Sequence, residues 1–184
     1  MMQPDSIQAI LTAVEAHTPI DSTEAAHKIA ILDHFRQSSA PTDSFCFEPG
    51  HATGSAWVIA KDTQQFALIY HKTLDHWLQP GGHAEPEEPD LLTVSLREAQ
   101  EELGITLDRA QTCLLDLDVH RIPDTKKYPS HLHFDFRYLC LTNSQPLQPA
   151  TDAVRAEWFS LDQLNALQLD PGIERMIRKS MIQI

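Results

Sequence analysis

The sequence predicts an α+β fold, a mixed β-sheet flanked by helices and preceded by a short helical extension. Three observations carry that expectation. Apolar residues at helical three-and-four spacing dominate the first 40 residues and return over residues 91–103. From residue 44 onward, short apolar runs alternate with turn residues, the texture of strands. Helical and strand-like segments then mix without the regular βαβ alternation of a doubly wound sheet.

In chain order, Ile7, Ile10, Leu11 and Val14 share one helical face, and Thr18-Pro19 ends that helix. Asp21-Ser22-Thr23-Glu24 caps a second helix that carries Ile29, Leu32 and Phe35. Ser38-Ser39-Ala40-Pro41 reads as a hinge. Two short helices bury too little surface to stand alone, so residues 1–40 are expected to pack as an extension on a domain of residues 41–184. Within that domain, Ser55–Ala60 and Phe66–His71 are strands around a turn at Lys61-Asp62-Thr63. Leu74–Gln79 is a third strand, stopped by Pro80-Gly81-Gly82. A helix is expected over Leu91–Leu103, capped by Asp90 and closed at Gly104. Cys113–His120 reads as a strand, Arg121–Ser130 as a loop, and His131–Leu141 as a long alternating strand. Arg155–Phe159 is the last strand, and Ser160-Leu161-Asp162-Gln163 has the form of a capping box for a closing helix.

The 184 residues suffice for one domain with its own core, and 42% hydrophobic with 22% charged residues is a globular composition. No apolar run is long enough to cross a bilayer. Met1-Met2-Gln3-Pro4-Asp5-Ser6 has neither the basic patch nor the apolar core of a secretory signal. Cys46, Cys113 and Cys140 are widely spaced, lack metal-knuckle spacing and have no base partner in sequence. They point to reduced thiols in a cytoplasmic protein. A formal charge of −12 argues against broad nucleic-acid binding, but not against a small anionic substrate that arrives with divalent cations. Solubility explains most of this charge; it does not explain its concentration between Glu85 and Glu102.

On the helix expected at 91–103, Glu98, Glu101 and Glu102 converge within roughly 100° of arc, while Leu92, Leu96, Ala99 and Leu103 gather on another side. Carboxylates so crowded invite a divalent ion, and oxygen ligands favour Mg²⁺ or Mn²⁺. A bare acidic string would more often be a solvated face. Its surroundings decide the matter. Gly82 is followed by Glu88 and then by Arg97-Glu98-Ala99-Gln100-Glu101-Glu102-Leu103-Gly104-Ile105. This resembles the Nudix box, G-x5-E-x7-R-E-U-x-E-E-x-G-U, where U is a bulky apolar residue. Eight residues instead of seven separate Glu88 from Arg97, and the extra one is placed near Pro89-Asp90, where lengthening a loop costs little. A branch of the superfamily with this longer box is also similar around Gly50–Trp57, Trp77–His83 and His131–Asp135.

The resemblance implies an α/β/α sandwich around a central mixed sheet. It implies a metal-dependent hydrolase that cleaves the diphosphate linkage of a nucleoside diphosphate joined to another group, by attack of water on phosphorus. Carried over, Glu98, Glu101 and Glu102 would hold Mg²⁺ or Mn²⁺, with the Gly82 carbonyl as a further ligand. Glu98 would also accept a proton from water, although the base differs across the superfamily, and Arg97 would orient a carboxylate. The catalytic candidates are thus Glu98, Arg97 and Glu101. Either Asp152 or Glu157 would supply an acidic ligand outside the box. The implied partner is a small phosphorylated substrate, a nucleotide derivative, and a homodimer is one assembly seen in the superfamily.

By strand alternation, His131, His133, Asp135 and Arg137 share one face and Leu132, Phe134, Phe136 and Tyr138 the other. That polar face would either bind phosphate or base, or meet solvent. Seven of the ten histidines lie between His51 and His133 but show no helical ligand spacing, which disfavours a structural zinc site. Trp57, Trp77 and Trp158 are read as core aromatics before stacking platforms. Two rival functions remain. A Nudix-fold isomerase of isoprenoid diphosphates would need a catalytic cysteine, for which Phe45–His51 gives only a faint echo. A non-catalytic nucleotide-sensing module would be expected to lack the box carboxylates, which this sequence keeps.

Overall fold

In the computed structural model, which describes residues 2–71, 75–149 and 153–183, the chain passes through two helices before its first strand. These are α1 (Pro4–Ala16) and α2 (Ser22–Gln37). Pro4 starts α1 at the position where a missing N–H costs nothing, and Asp21 caps α2 by accepting from the Glu24 N–H at 2.9 Å. The strands β1 (Gly50–Ala60), β2 (Gln65–His71), β3 (His76–Leu78) and β4 (Gly81–His83) follow, then helix α3 (Leu91–Leu103). The hairpin of β5 (Thr112–Ile122) and β6 (His131–Thr142), strand β7 (Ala153–Phe159), and helices α4 (Leu161–Asn165) and α5 (Pro171–Gln183) complete the described chain.

Among the described residues these strands make one mixed sheet in the order β3-β2-β1-β6-β5. β1 and β6 run parallel through its centre, and the remaining pairings are antiparallel. The first half of β1 pairs with β4, its last residues pair with β2, and β7 lies against β2. Strand alternation sends side chains to two helical layers. On one face, Ala56, Val58 and Cys140 pack against Ala99 and Leu103 of α3, while Phe134 and Phe136 meet Val14, Ile31 and Phe35 of α1 and α2. On the other, Trp57, Ile59, Phe66 and Leu139 pack against Ile173, Met176 and Ile177 of α5. The fully buried Trp57 donates its indole N–H to Ser180 Oγ at 3.3 Å, which docks α5. The result is a helix–sheet–helix sandwich. Among the described residues no helix is long and apolar enough to cross a membrane.

The signals for α3 were local and are met: Asp90 accepts from the Thr93 N–H at 2.8 Å, and Gly104 closes the helix at φ 72°. That left-handed φ is one glycine adopts without a Cβ penalty. Three expectations need correction. Gly81-Gly82-His83 is a strand and not a turn, because it pairs with Thr53–Ser55 of β1, a contact no local pattern announces. The strand expected at Leu74–Gln79 is His76–Leu78, and Leu74 lies outside the described residues. The single closing helix is two: the capping box of Ser160 and Gln163 opens the short α4, and Pro171 starts α5.

Candidate active site

Helix α3 lays its acidic side against β4, and Arg97 is the hub of the contact. Its Nε donates to Glu88 Oε1 at 2.9 Å. Its Nη1 donates to Glu98 Oε1 at 2.8 Å and Glu101 Oε2 at 3.3 Å, and its Nη2 to the His83 carbonyl at 2.8 Å. A planar guanidinium is suited to such a clamp because its donors point in fixed, diverging directions. Glu88 reaches Arg97 despite the longer spacing because the loop turns back. The Glu88 N–H donates to the Glu85 carbonyl at 3.2 Å, and the Glu85 N–H to Glu88 Oε2 at 2.7 Å.

Glu98 is mostly buried on the backbone of Gly82, where a β-carbon would stand 2.2 Å from Oε1. Burial raises the Glu98 carboxyl pKa; Arg97 opposes this, and Glu101 and Glu88 add to it. Glu102 Oε2 accepts from the Gly81 N–H at 3.0 Å. The box carboxylates offer oxygen donors only, a chemistry that fits a hard divalent cation. Their ligand atoms do not all lie within 4.8 Å of one another: Arg97 Nη1 bridges Glu98 and Glu101, while Glu102 turns to the Gly81 N–H.

The polar face of β6 looks away from α3, toward α5, and two groups occupy it in succession. Deepest is a charge network. Asp135 accepts from Thr53 Oγ1 (2.9 Å), Ser55 Oγ (2.8 Å) and Arg137 Nε (2.8 Å). Arg137 also donates to Asp118 at 3.0 Å, and Arg175 of α5 binds both oxygens of Asp116 at 2.8 Å. The face is therefore not solvated: Asp135 and Arg137 are 1% and 4% exposed. Arg137 still borders a cleft of about 500 Å³ with His120, Trp77 and Leu169.

Nearer the open end of the sheet lie His51, His83, His120, His131 and His133, from β1, β4, β5 and β6. One ring nitrogen each from His51, His131 and His133 lies within 4.8 Å of the others. The His133 Nε2 is 3.3 Å from the Nε2 of both His131 and His83. Burial, then His83 and the neighbouring histidines, push His133 down to about 2. Burial, then His51, His131 and Arg97, bring His83 to about 4. Both are neutral at ordinary pH. The sequence placed His131 and His133 together on one strand face but did not join His51, His83 and His120 to them, because those three come from other strands.

Glu157 pairs with Arg155 at 3.2 Å and is about half exposed, and Asp152 lies outside the described residues. Trp158 donates its indole N–H to the Gln145 carbonyl at 2.9 Å.

The family profile described as NUDIX domain matches residues 51–180. The chain therefore belongs to the NUDIX family of pyrophosphohydrolases. Solved structures show the same fold. The NUDIX domain of Shewanella oneidensis NrtR, complexed with ADP ribose, has a TM-score of 0.59 and 17% identity, covering 72% of this chain and 86% of that one. A C. elegans Ap4A hydrolase has a TM-score of 0.53 and 18% identity over 71% of this chain and 95% of its own. A MutT NUDIX hydrolase from Burkholderia pseudomallei has a TM-score of 0.52 and 24% identity over 68% and 95%. No curated protein matches the chain.

Proposed function

We propose that this protein is a Mg²⁺- or Mn²⁺-dependent hydrolase that cleaves the diphosphate linkage of a nucleoside diphosphate derivative by attack of water on phosphorus. The observation that carries this reading is the clamp of Arg97 on Glu88, Glu98 and Glu101, with Glu98 seated on Gly82. Glu98, Glu101, Glu102 and the Gly82 carbonyl would hold the cation, which when bound supplies charge stabilisation to the phosphoryl oxygens. Glu98 is the proton acceptor of choice, since burial raises its affinity for a proton. Arg97 fixes that carboxylate and does not need to touch substrate. His120, Arg137 and Trp77, around the cleft beside the sheet, supply donors and a ring for a nucleotide. The odd number and wide spacing of Cys46, Cys113 and Cys140 in the sequence support a reducing, cytoplasmic setting.

The test is a panel of phosphorylated compounds, ADP ribose and Ap4A included, assayed for phosphate or nucleotide release with Mg²⁺ and with Mn²⁺. Glu98→Gln, Glu101→Gln and Glu102→Gln should each lower kcat by about 100-fold or more while the protein still folds. Undiminished turnover in EDTA, or by all three variants, would refute the reading. Allylic rearrangement without hydrolysis would favour the isomerase alternative.

A further inference from the structure

We propose that His51, His131 and His133, with His83 as the fourth side chain in reach, form a second metal site, for a borderline transition-metal ion of the Zn²⁺ class. This site is distinct from the box carboxylates and does not depend on the hydrolytic reading.

Three features of the geometry lead there. The first is tautomer. A carbonyl can only accept, so His51 Nδ1–H must donate to the Cys46 carbonyl at 2.9 Å, and His131 Nδ1–H to the Pro129 carbonyl at 2.7 Å. In its neutral form each ring then turns an Nε2 lone pair toward the cluster. A ring N–H fixed on a backbone carbonyl is the usual support of a metal-ligating histidine.

The second is an unmet acceptor. His51 is 1% exposed, and its Nε2 has no hydrogen-bond partner. A chain of imidazole hydrogen bonds cannot repair this. His133 Nε2 carries at most one proton, and two other imidazole nitrogens already stand 3.3 Å from it. Leaving a buried acceptor unsatisfied is costly, and one cation can satisfy several lone pairs together.

The third is spacing. With metal–nitrogen bonds of about 2.0–2.1 Å, tetrahedral ligand atoms lie about 3.3–3.4 Å apart. The nitrogens of His131 and His83 each keep a 3.3 Å distance from His133 Nε2. Imidazole nitrogen selects zinc-like ions over Mg²⁺, whereas the carboxylate set on α3 has the opposite preference.

Strand β4 separates the two sites. Gly82 faces Glu98 on the α3 side, and alternation turns the His83 ring to the other side, while Arg97 holds the His83 carbonyl. The cluster also borders a cavity of about 140 Å³ walled by Phe45, Phe47 and Tyr128, so a ligand could approach the ion from there.

The experiment uses the full chain stripped with a chelator, then titrated with Zn²⁺ or Co²⁺ in excess Mg²⁺. One equivalent of Zn²⁺ should bind and raise Tm, and Co²⁺ should give the intense visible absorption of a four-coordinate ion. His133→Gln and the pair His51→Gln with His131→Gln should lose that equivalent and the absorption, whereas Glu98→Gln should retain both. Circular dichroism of the stripped variants checks folding. If a double variant fails to fold, His133→Gln and His83→Gln, single changes on two strands, decide the matter by the Co²⁺ spectrum. Absence of a stoichiometric equivalent in the unaltered protein would overturn the proposal. So would retention of the ion by the histidine variants together with its loss in Glu98→Gln, which would assign it to the box.

Discussion

A β-carbon at Gly82 would stand 2.2 Å from Glu98 Oε1 and 2.6 Å from its carboxyl carbon. Arg97 holds that same oxygen at 2.8 Å, so a shift of Glu98 away from a new β-carbon would disturb its bond to the guanidinium. Gly82→Ala should therefore act as a displacement of Glu98, with kcat lower by on the order of 100-fold, the cost of misplacing a reacting group by about 1 Å. Tm should change little, because β4 stays paired to β1. Steady-state kinetics with a thermal melt check this, and wild-type turnover by the variant would show that Glu98 is free to relocate. The contiguous part of this site was legible in the sequence because Arg97 through Glu102 lie on one helix, where spacing fixes direction. The seat on Gly82 was legible only as a resemblance. Of the histidine cluster only His131 and His133 were read as neighbours; His51 and His83 were not joined to them, since they meet His133 through strand pairing across long stretches of chain.

At the scale of elements, α1 and α2 are a wall of the core. Ile31 and Phe35 of α2 pack with Phe134 and Phe136 of the sheet, and Val14 of α1 completes the cluster. The buried Glu24 ties α2 further: it accepts from the Leu117 N–H of β5 at 3.3 Å and pairs with Lys179 of α5. A chain lacking residues 1–40 should therefore bare the Phe134 and Phe136 face and aggregate, despite keeping the whole box. Size-exclusion chromatography and circular dichroism would test this. A monomeric, folded truncation would mean that the sheet needs no cover there. The starts of capped elements, α2 at Asp21, α3 at Asp90 and α4 at Ser160, were read correctly because a cap is a local hydrogen bond. Strand β4 was misread because its hydrogen bonds go to β1, and its glycines alone mimic a turn.

Across the whole molecule, one buried charge network joins α2, β5, β6 and α5 through Glu24, Asp116, Asp118, Asp135, Arg137, Arg175 and Lys179. Sequence could not disclose it, because Arg175 meets Asp116 across 59 residues. Breaking it from one side should leave a buried charge without its partner. Arg175→Met should cost about 3–5 kcal/mol by urea denaturation, the range for an orphaned member of a buried pair. The network also sets how stability depends on pH. Burial raises the Glu24 pKa, but hydrogen bonds from His17, Lys179 and the Ile20 N–H outweigh it and hold the carboxyl well below its ordinary 4.5. Asp118 is likewise held low: burial raises it, and His120, His27, Arg137 and Arg175 more than reverse that. Asp116 goes the other way, raised by burial against Arg175, Arg137 and Lys179, and offsets part of the effect. For Glu24 and Asp118 the unfolded chain binds more protons in acid than the folded one. Their contribution is thus complete above the unfolded carboxylate pKa and is lost as pH falls below it. Urea midpoints should accordingly decline on acidification in two stages, first below about 6.5, where the unfolded chain protonates His83 and His133, which the fold keeps neutral, and further below about 4.5, the ordinary glutamate value. In Glu24→Gln, which keeps the shape but not the titration, the decline should be shallower and begin from a lower plateau. An equally steep decline in Glu24→Gln would remove Glu24 from this linkage and leave Asp118 as its source.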